Sequence, residues 1–193
     1  LAAQAPVQFG TNFYEFVAAN ITWQNAAAAA SNRVLLGTSG HLATVTSAAE
    51  NAFLVANFAG HPGPTGVWLA GAVDAAGTGR WMAGPETGQI FSQGQAPVGG
   101  SYANWGGIEP NNTPSLLWMN VGPGFAGIGV GQWADDDNGV PSGADPVIGY
   151  FVEYESPRWR GLGVGCAGTA GIPALTATTP PDLGQQFSLA LAN

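Results

Sequence analysis

Both segments that favour a helix lie in the first third of this 193-residue sequence, and the segments after them favour short strands. Residues 21–33 are rich in alanine, and Thr22 is placed to cap the N-terminus of a helix. Residues 47–50, Ser-Ala-Ala-Glu, match a capping box, in which the serine bonds to the amide of the fourth residue and the glutamate reaches back. This motif predicts a second helix over residues 48–58, which Gly60 is placed to end. The separation of helices from most of the strands predicts an α+β domain.

Alternating or continuous apolar patterns predict the strands of this domain. They occur at residues 13–17, 40–45, 67–70, 79–82, 116–121 and 149–155, with a further strand end that runs into an acidic loop at residues 131–138. Residues 84–114 are rich in Gly, Pro, Asn and Gln and predict few strands in a long, irregular loop region. The expected architecture is two helices packed on small, mostly antiparallel sheets.

The charge composition limits the partners that this chain can bind. Charged residues make up only 8% of the sequence, lysine is absent, and the formal net charge is −8. A negative chain is a poor partner for nucleic acid and for anionic membranes. No run of 18 apolar residues is present, so we expect no membrane insertion. The low charge density suits a secreted or surface-assembled protein and tolerates large self-association surfaces.

The single cysteine excludes an intrachain disulfide. Cys166 is most simply a buried, small apolar residue, with an intermolecular bridge as the alternative. The sequence starts at Leu1 without a charged segment or a long apolar stretch, which we interpret as the result of signal-peptide removal, an artificial start point being the alternative. These features predict a secreted, extracellular or cell-surface location.

Several short motifs occur in an order that resembles one known family. The segment at residues 40–51, the Val-Trp-Leu-Ala-Gly strand at 67–71, the Tyr-Ala-Asn-Trp segment at 102–105, Glu-Pro-Asn at 109–111, Trp-Ala-Asp at 133–135 and the strand at 149–155 together resemble the C-type lectin-like domain in its bacterial, disulfide-free form. The resemblance implies that residues 12–155 form this domain. It leaves residues 1–11 as an N-terminal segment and residues 156–193 as a tail.

The resemblance implies a calcium ion on the long loop, with the vicinal hydroxyl groups of a mannose-type sugar completing its coordination shell. Glu109, Asn111 and Asp135 would supply oxygen ligands, and a cis peptide bond before Pro110 would aim the two loop side chains the same way. Two departures weaken this match. An alanine at position 134 replaces the family's asparagine, and the family's later loop glutamate is absent near residues 114 and 115.

Asp136 and the residues at 137 and 138 are expected to substitute for the missing metal ligands. Adjacent carboxylates repel one another unless a cation intervenes, which favours an ion beside this acidic run. The alternative is that the Glu-Pro-Asn segment only folds the loop and that the acidic run is solvated. The sequence leaves both interpretations open.

No pattern in the sequence predicts an enzyme. His41 and His61 are the only histidines and form no zinc pattern, and no nucleophile elbow is present. His41 is expected to pack as a structural residue, while His61 is expected to face solvent. Residues 20–22 and 111–113 match the Asn-x-Thr acceptor for N-glycosylation, which is a weak signal by itself.

The tryptophans divide into two groups. Those at 23, 68, 81, 105 and 133 lie at positions where the family has core residues, whereas Trp118 and Trp159 are the candidates for an interface.

The tail predicts self-association. Residues 185–192 alternate polar and apolar side chains, which predicts a strand able to pair with a sheet edge of another copy. Phe187, Leu189 and Leu191 would fill pockets on that copy, and Trp159 would add to the contact. A head-to-tail contact that does not close generates a filament or tube. The sequence therefore predicts a non-enzymatic structural subunit that forms a filament, tube or surface layer as a homo-oligomer or homopolymer; the alternative is a calcium-dependent, mannose-type lectin that binds glycans.

Overall fold

The computed structural model of the protein describes residues 5–58, 65–111, 114–124, 126–136 and 147–156. Two helices and twelve strands lie in these ranges, which confirms an α+β fold. The helices are α1 (Trp23–Ser31) and α2 (Ala48–Phe58). The strands are β1 (Val7–Phe9), β2 (Asn12–Ala18), β3 (Val34–Leu35), β4 (Thr38–Ser39), β5 (His41–Leu42), β6 (Gly66–Val73), β7 (Thr78–Trp81), β8 (Ile90–Gln93), β9 (Ala96–Pro97), β10 (Ser115–Asn120), β11 (Trp133–Asp136) and β12 (Val147–Tyr154).

Strand β12 is the centre of the main sheet. It pairs with β2 in the antiparallel sense and with β6 in the parallel sense. Strand β6 also pairs with β7 and β10, and β10 pairs with β11, all antiparallel. Among the named strands, β6 with β12 is the parallel pair, so the sheet is mostly antiparallel, as expected. Because the last described strand pairs with β2, the two ends of this region meet, with Glu153 opposite Tyr14.

Helix α1 begins where its predicted cap places it. Thr22 has extended backbone angles, and its hydroxyl oxygen accepts a hydrogen bond from the amide of Asn25 at 3.2 Å. Ala26 and Ala30 are fully buried, so small side chains let the helix approach the sheet closely. The indole Nε1–H of Trp23 donates to the Leu69 carbonyl at 2.7 Å and ties the start of the helix to β6.

Helix α2 has the bounds that the capping box predicted, but only half of the box forms. The amide of Glu50 donates to Ser47 Oγ at 3.1 Å. The Glu50 carboxylate does not reach back to the serine amide; its Oε2 accepts from the amide of Thr46 at 2.7 Å, and its Oε1 accepts from Tyr14 at 2.5 Å. The reciprocal contact to the serine amide was therefore predicted wrongly: one carboxylate oxygen bonds to the amide one residue earlier, and the other bonds to the tertiary partner Tyr14. The predicted end at Gly60 lies outside the described residues.

The loop region at residues 84–114 contains more structure than its composition indicated. Strands β8 and β9 extend the sheet beyond β7, with Gly79 opposite Ser92. The expectation that Trp118 serves an interface was also wrong. Trp118 is 1% exposed, because β10 lies between β6 and β11 and its side chains enter the core.

An aromatic cluster anchors the long loop to the rest of the fold. The ring of Trp133 contacts those of Trp81, Tyr102 and Trp105 at centroid distances of 5.8, 5.5 and 6.1 Å. Its Nε1–H donates to Asn51 Oδ1 on α2 at 2.9 Å. These contacts fix the start of β11 and so position the acidic residues that follow.

Neither of the two described helices has the length and apolar character that crossing a membrane requires.

Candidate functional site

The Glu-Pro-Asn segment folds into a compact hydrogen-bonded loop. The Glu109–Pro110 peptide bond is cis, as the resemblance implied. The side-chain amide of Asn111 donates to Glu109 Oε1 at 2.7 Å. The amide of Glu109 donates to the Gly106 carbonyl at 2.9 Å, and the amide of Gly106 donates to the Trp133 carbonyl at 2.9 Å. The loop is therefore held against the start of β11.

Asp135 on β11 joins these loop residues in one group, which we call the loop cluster (Glu109, Asn111, Ser115 and Asp135). Asp135 Oδ1 accepts from the backbone amide of Asn111 at 3.0 Å, and its Oδ2 accepts from Ser115 Oγ at 2.5 Å. Asp135 is 2% exposed. The structure thus brings together three side chains that lie in two separate sequence motifs.

Asp136 has a different position. It is buried like Asp135, so the alternative of a solvated acidic run is wrong for both residues. Successive side chains of a strand point to opposite faces, which turns Asp136 away from the side that Asp135 faces. The other substitute ligands, Asp137 and Asn138, lie outside the described residues.

The electrostatics of the loop cluster centre on Glu109, which is 8% exposed. Burial, followed by the neighbouring Asp135 carboxyl group, raises the pKa of Glu109 to about 8. Its Oε2 atom is buried and has no hydrogen-bond partner among the described residues. An unpaired buried carboxylate oxygen beside a second carboxylate is stabilised by a proton or by a cation.

The donor set of the loop cluster suits a hard cation. Carboxylate, amide and hydroxyl oxygens are the ligands that Ca²⁺ prefers. Ala134 is buried and contributes only a methyl group, and Ser115 lies where a glutamate was expected and donates to Asp135. The residues present therefore fit a calcium ion with fewer protein ligands than the resemblance implied.

A second acidic group, absent from the sequence-based predictions, lies in the sheet core. We call it the core cluster (Tyr14, Thr44, Glu50 and Glu153). Glu153 Oε1 accepts from Tyr14 at 2.8 Å and from Asn12 Nδ2 at 2.8 Å, and its Oε2 accepts from the amide and the hydroxyl of Thr44 at 3.0 and 3.1 Å. The sequence signal was available, because Glu153 interrupts an otherwise apolar strand.

Proton counting shows how the core cluster is stabilised. The hydroxyl of Tyr14 lies 2.5 Å from Glu50 Oε1 and 2.8 Å from Glu153 Oε1, yet it carries one hydrogen. A proton on one of the two carboxyl groups, donated to the Tyr14 oxygen, would satisfy both contacts. Burial raises the pKa of Glu153, which makes this residue the better candidate.

His41, Glu153 and Glu155 also lie close together, with one potential ligand atom of each within 4.8 Å of the others. The two oxygens of Glu153 already take part in four hydrogen bonds within the protein, which a metal would have to displace. His41 Nδ1 lies 2.8 Å from the Leu42 carbonyl oxygen, and the imidazole ring packs on Gly84. His41 therefore has a structural environment. The prediction for His61 lies outside the described residues.

Comparison with known proteins adds a sequence relative and a fold. No protein-family model matches the chain. Halomucin from Haloquadratum walsbyi is 35% identical over 148 residues, which is 74% of this chain but 1% of Halomucin. The chain thus spans about a hundredth of the length of this relative.

Solved structures resemble the chain over most of its length. The carbohydrate-recognition domain of mouse scavenger receptor C-type lectin matches with a TM-score of 0.53 and 18% identity, covering 78% of this chain and 93% of that domain. The Ca²⁺-independent C-type lectin SPL-2 from Saxidomus purpuratus matches with a TM-score of 0.56 and 17% identity, covering 77% and 89%. At such low identities the likeness concerns the fold alone: the protein has the C-type lectin fold.

Proposed function

We propose that this chain is a non-enzymatic, extracellular glycan-binding domain whose sugar site is the loop cluster. The observation that carries the proposal is that Glu109, Asn111 and Asp135 share one hydrogen-bonded group, with one buried oxygen of Glu109 that has no partner among the described residues. Carboxylate oxygens that accept and amide groups that donate are the partners that sugar hydroxyl groups need. The carbohydrate-recognition domain with the same fold supports this assignment.

Calcium is the cofactor that we propose for this site. Glu109, Asn111 and Asp135 would hold the ion, which would offset the two buried carboxylates and bind the vicinal hydroxyl groups of the sugar. Glu109 must lose its proton for this to occur, so the residues of the chain exchange a shared proton for a shared cation. The calcium-independent lectin with the same fold makes direct sugar binding by the loop side chains the competing mechanism.

Glycan binding in the presence and absence of a chelator tests this proposal. We expect the full chain to bind mannose-type glycans on an array, and expect Glu109→Gln to lose most of this binding. Glu86→Gln is the matched control, because Glu86 hydrogen-bonds to Thr44 and lies outside the loop cluster. Binding that survives Glu109→Gln would contradict the proposed site. Binding that persists in the chelator but is lost in Glu109→Gln would exclude calcium as the cofactor and support the site.

Self-assembly through the tail is a separate proposal. Trp159, Phe187, Leu189 and Leu191 all lie outside the described residues, so their roles stay predictions. The low charge content supports the proposal, because few charges would need desolvation on contact. We expect the full chain to form particles larger than a monomer in light scattering and the Leu189→Ser, Leu191→Ser double variant to be smaller. Leu183→Ser is the matched control, and equal particle sizes for all three proteins would contradict the proposal.

A further inference from the structure

We propose that Asn20 is an attachment site for an N-linked glycan and that Asn111, the other match to the acceptor motif, is not. Attachment requires a surface asparagine followed two residues later by a Ser or Thr hydroxyl group, in a protein that is exported. Both matches satisfy the sequence requirement. The structure distinguishes them by what the asparagine side chain already does.

Asn20 lies at the apex of a tight turn between β2 and α1. The residues on either side are fixed to the fold: the amide of Ala19 donates to the Ile148 carbonyl at 2.9 Å, and the Ile21 carbonyl accepts from Trp68 Nε1 at 2.9 Å. The amide of Ile21 donates to the Ala19 carbonyl at 3.1 Å, which closes the turn. Asn20 itself is exposed. The turn therefore displays this side chain on a rigid base.

The side-chain amide of Asn20 is free. None of the hydrogen bonds among the described residues involves it, so a glycan on its Nδ2 would displace no contact. Thr22 uses its oxygen as the acceptor of the α1 cap and retains its hydroxyl hydrogen. A modified Asn20 is thus compatible with the helix cap and with the Trp68 contact.

Asn111 is exposed as well, but its side-chain amide and its backbone amide are both engaged. Its Nδ2 donates to Glu109 Oε1 at 2.7 Å, and its backbone amide donates to Asp135. A sugar on that nitrogen would replace one of the two amide hydrogens and put a bulky ring against the buried Glu109 carboxylate. The folded structure therefore disfavours a glycan at this position.

The reaction is a glycosyl transfer from a lipid-linked oligosaccharide donor. A bond forms between Asn20 Nδ2 and the anomeric carbon of the first sugar, and the bond from that carbon to the lipid phosphate oxygen breaks. The phosphate leaves with the electron pair, and the amide nitrogen loses one proton. An oligosaccharyltransferase of the exporting cell supplies the catalysis.

The test is expression of the full chain in a secretory host that performs N-glycosylation, followed by intact-mass and glycopeptide mass spectrometry. We expect a glycan on the wild type, on Asn111→Gln and on Thr22→Ser, and expect none on Asn20→Gln. Thr22→Asn is the sharpest variant, because asparagine caps a helix as well as threonine does but removes the acceptor motif. It should lose the glycan while its circular dichroism spectrum and thermal unfolding remain like those of the wild type.

Each alternative result would overturn the proposal. An unmodified wild type would show that Asn20 is not an acceptor. A glycan that is lost in Asn111→Gln and kept in Asn20→Gln would reverse the assignment, and glycans at both positions would contradict the argument from the Asn111 hydrogen bonds. None of these outcomes depends on sugar binding by the loop cluster.

Discussion

The two acidic groups of this protein bury carboxylates in opposite ways. In the core cluster, every oxygen of Glu50 and Glu153 accepts at least one hydrogen bond from the protein. In the loop cluster, Glu109 Oε2 has no hydrogen-bond partner among the described residues, and the neighbouring Asp135 carboxyl group disfavours a negative charge on Glu109. A carboxylate with a full set of donors stabilises the fold, whereas one that lacks donors is available to bind. Both clusters are buried, so burial alone does not distinguish them. The number of hydrogen-bond donors around each carboxylate does distinguish a structural group from a candidate site.

The largest expected effect is on the core cluster. Glu153→Ala should lower the free energy of unfolding by about 3 to 5 kcal/mol, because it leaves several buried donors without an acceptor. Denaturant unfolding monitored by tryptophan fluorescence measures this. Glu155→Ala is the control: its side chain is more exposed and, among the described residues, pairs with His41 alone, so a loss below about 1 kcal/mol is expected. Equal losses for the two variants would remove the structural role from the core cluster.

Removal of the bridging hydroxyl group should have the next largest effect. Tyr14→Phe keeps the ring that packs on Phe53 and deletes the hydroxyl group that contacts both Glu50 and Glu153. We expect a loss of about 1 to 3 kcal/mol in the free energy of unfolding. A variant as stable as the wild type would show that the two carboxyl groups can share the proton directly.

In the loop cluster, by contrast, removal of the carboxyl group of Glu109 should raise the free energy of unfolding. The pKa of Glu109 is about 8 in the folded protein against an ordinary value of 4.5, so between these values the folded protein holds a proton that the unfolded chain has released. The free energy of unfolding must then fall as pH rises through this range, by at most about 1.4 kcal/mol per pH unit. Glu109→Gln lacks this titration.

In a chelating buffer, therefore, Glu109→Gln should gain stability relative to the wild type between about pH 5 and about pH 8. Thermal unfolding of both proteins across this range measures the difference. If the stability of the two proteins depends on pH in the same way, Glu109 is ionised in the folded state. The proposed difference between the two clusters would then be wrong.

The smallest effect is expected at the edge of the loop cluster. Ser115→Ala removes the hydroxyl group that donates to Asp135 Oδ2 and should lower the free energy of unfolding by about 1 kcal/mol. Because Ser115 is a donor to a proposed ligand, glycan binding should weaken severalfold and remain measurable. Complete loss of binding would show that Ser115 contacts the sugar or the ion directly.

The local parts of the fold were predictable because they depend on neighbouring residues. Thr22 and Ser47 bond to amides three residues away, so the starts of both helices follow from short motifs. Glu109, Asn111 and Asp135 were predictable as a group because they belong to motifs of a known family. Whether they bind calcium or a sugar stays a prediction.

Errors arose where a distant partner decided the outcome. Glu50 Oε1 accepts from Tyr14, a partner 36 residues away, and Trp118 is buried because β10 lies between β6 and β11 and its side chains enter the core. Neither contact leaves a signal in the residues nearby in sequence.

By itself, the sequence determined where the two helices begin and where most of the longer strands lie, because caps and alternation act over a few residues. The resemblance to a known family supplied Glu109, Asn111 and Asp135 as candidate site residues. Only the tertiary structure decided that the Tyr14 hydroxyl group bridges Glu153 and Glu50 and that Glu109 Oε2 has no hydrogen-bond partner among the described residues. Protonation and hydrogen-bond saturation depend on the donors that surround a buried group, and those donors come from strands far apart in the chain.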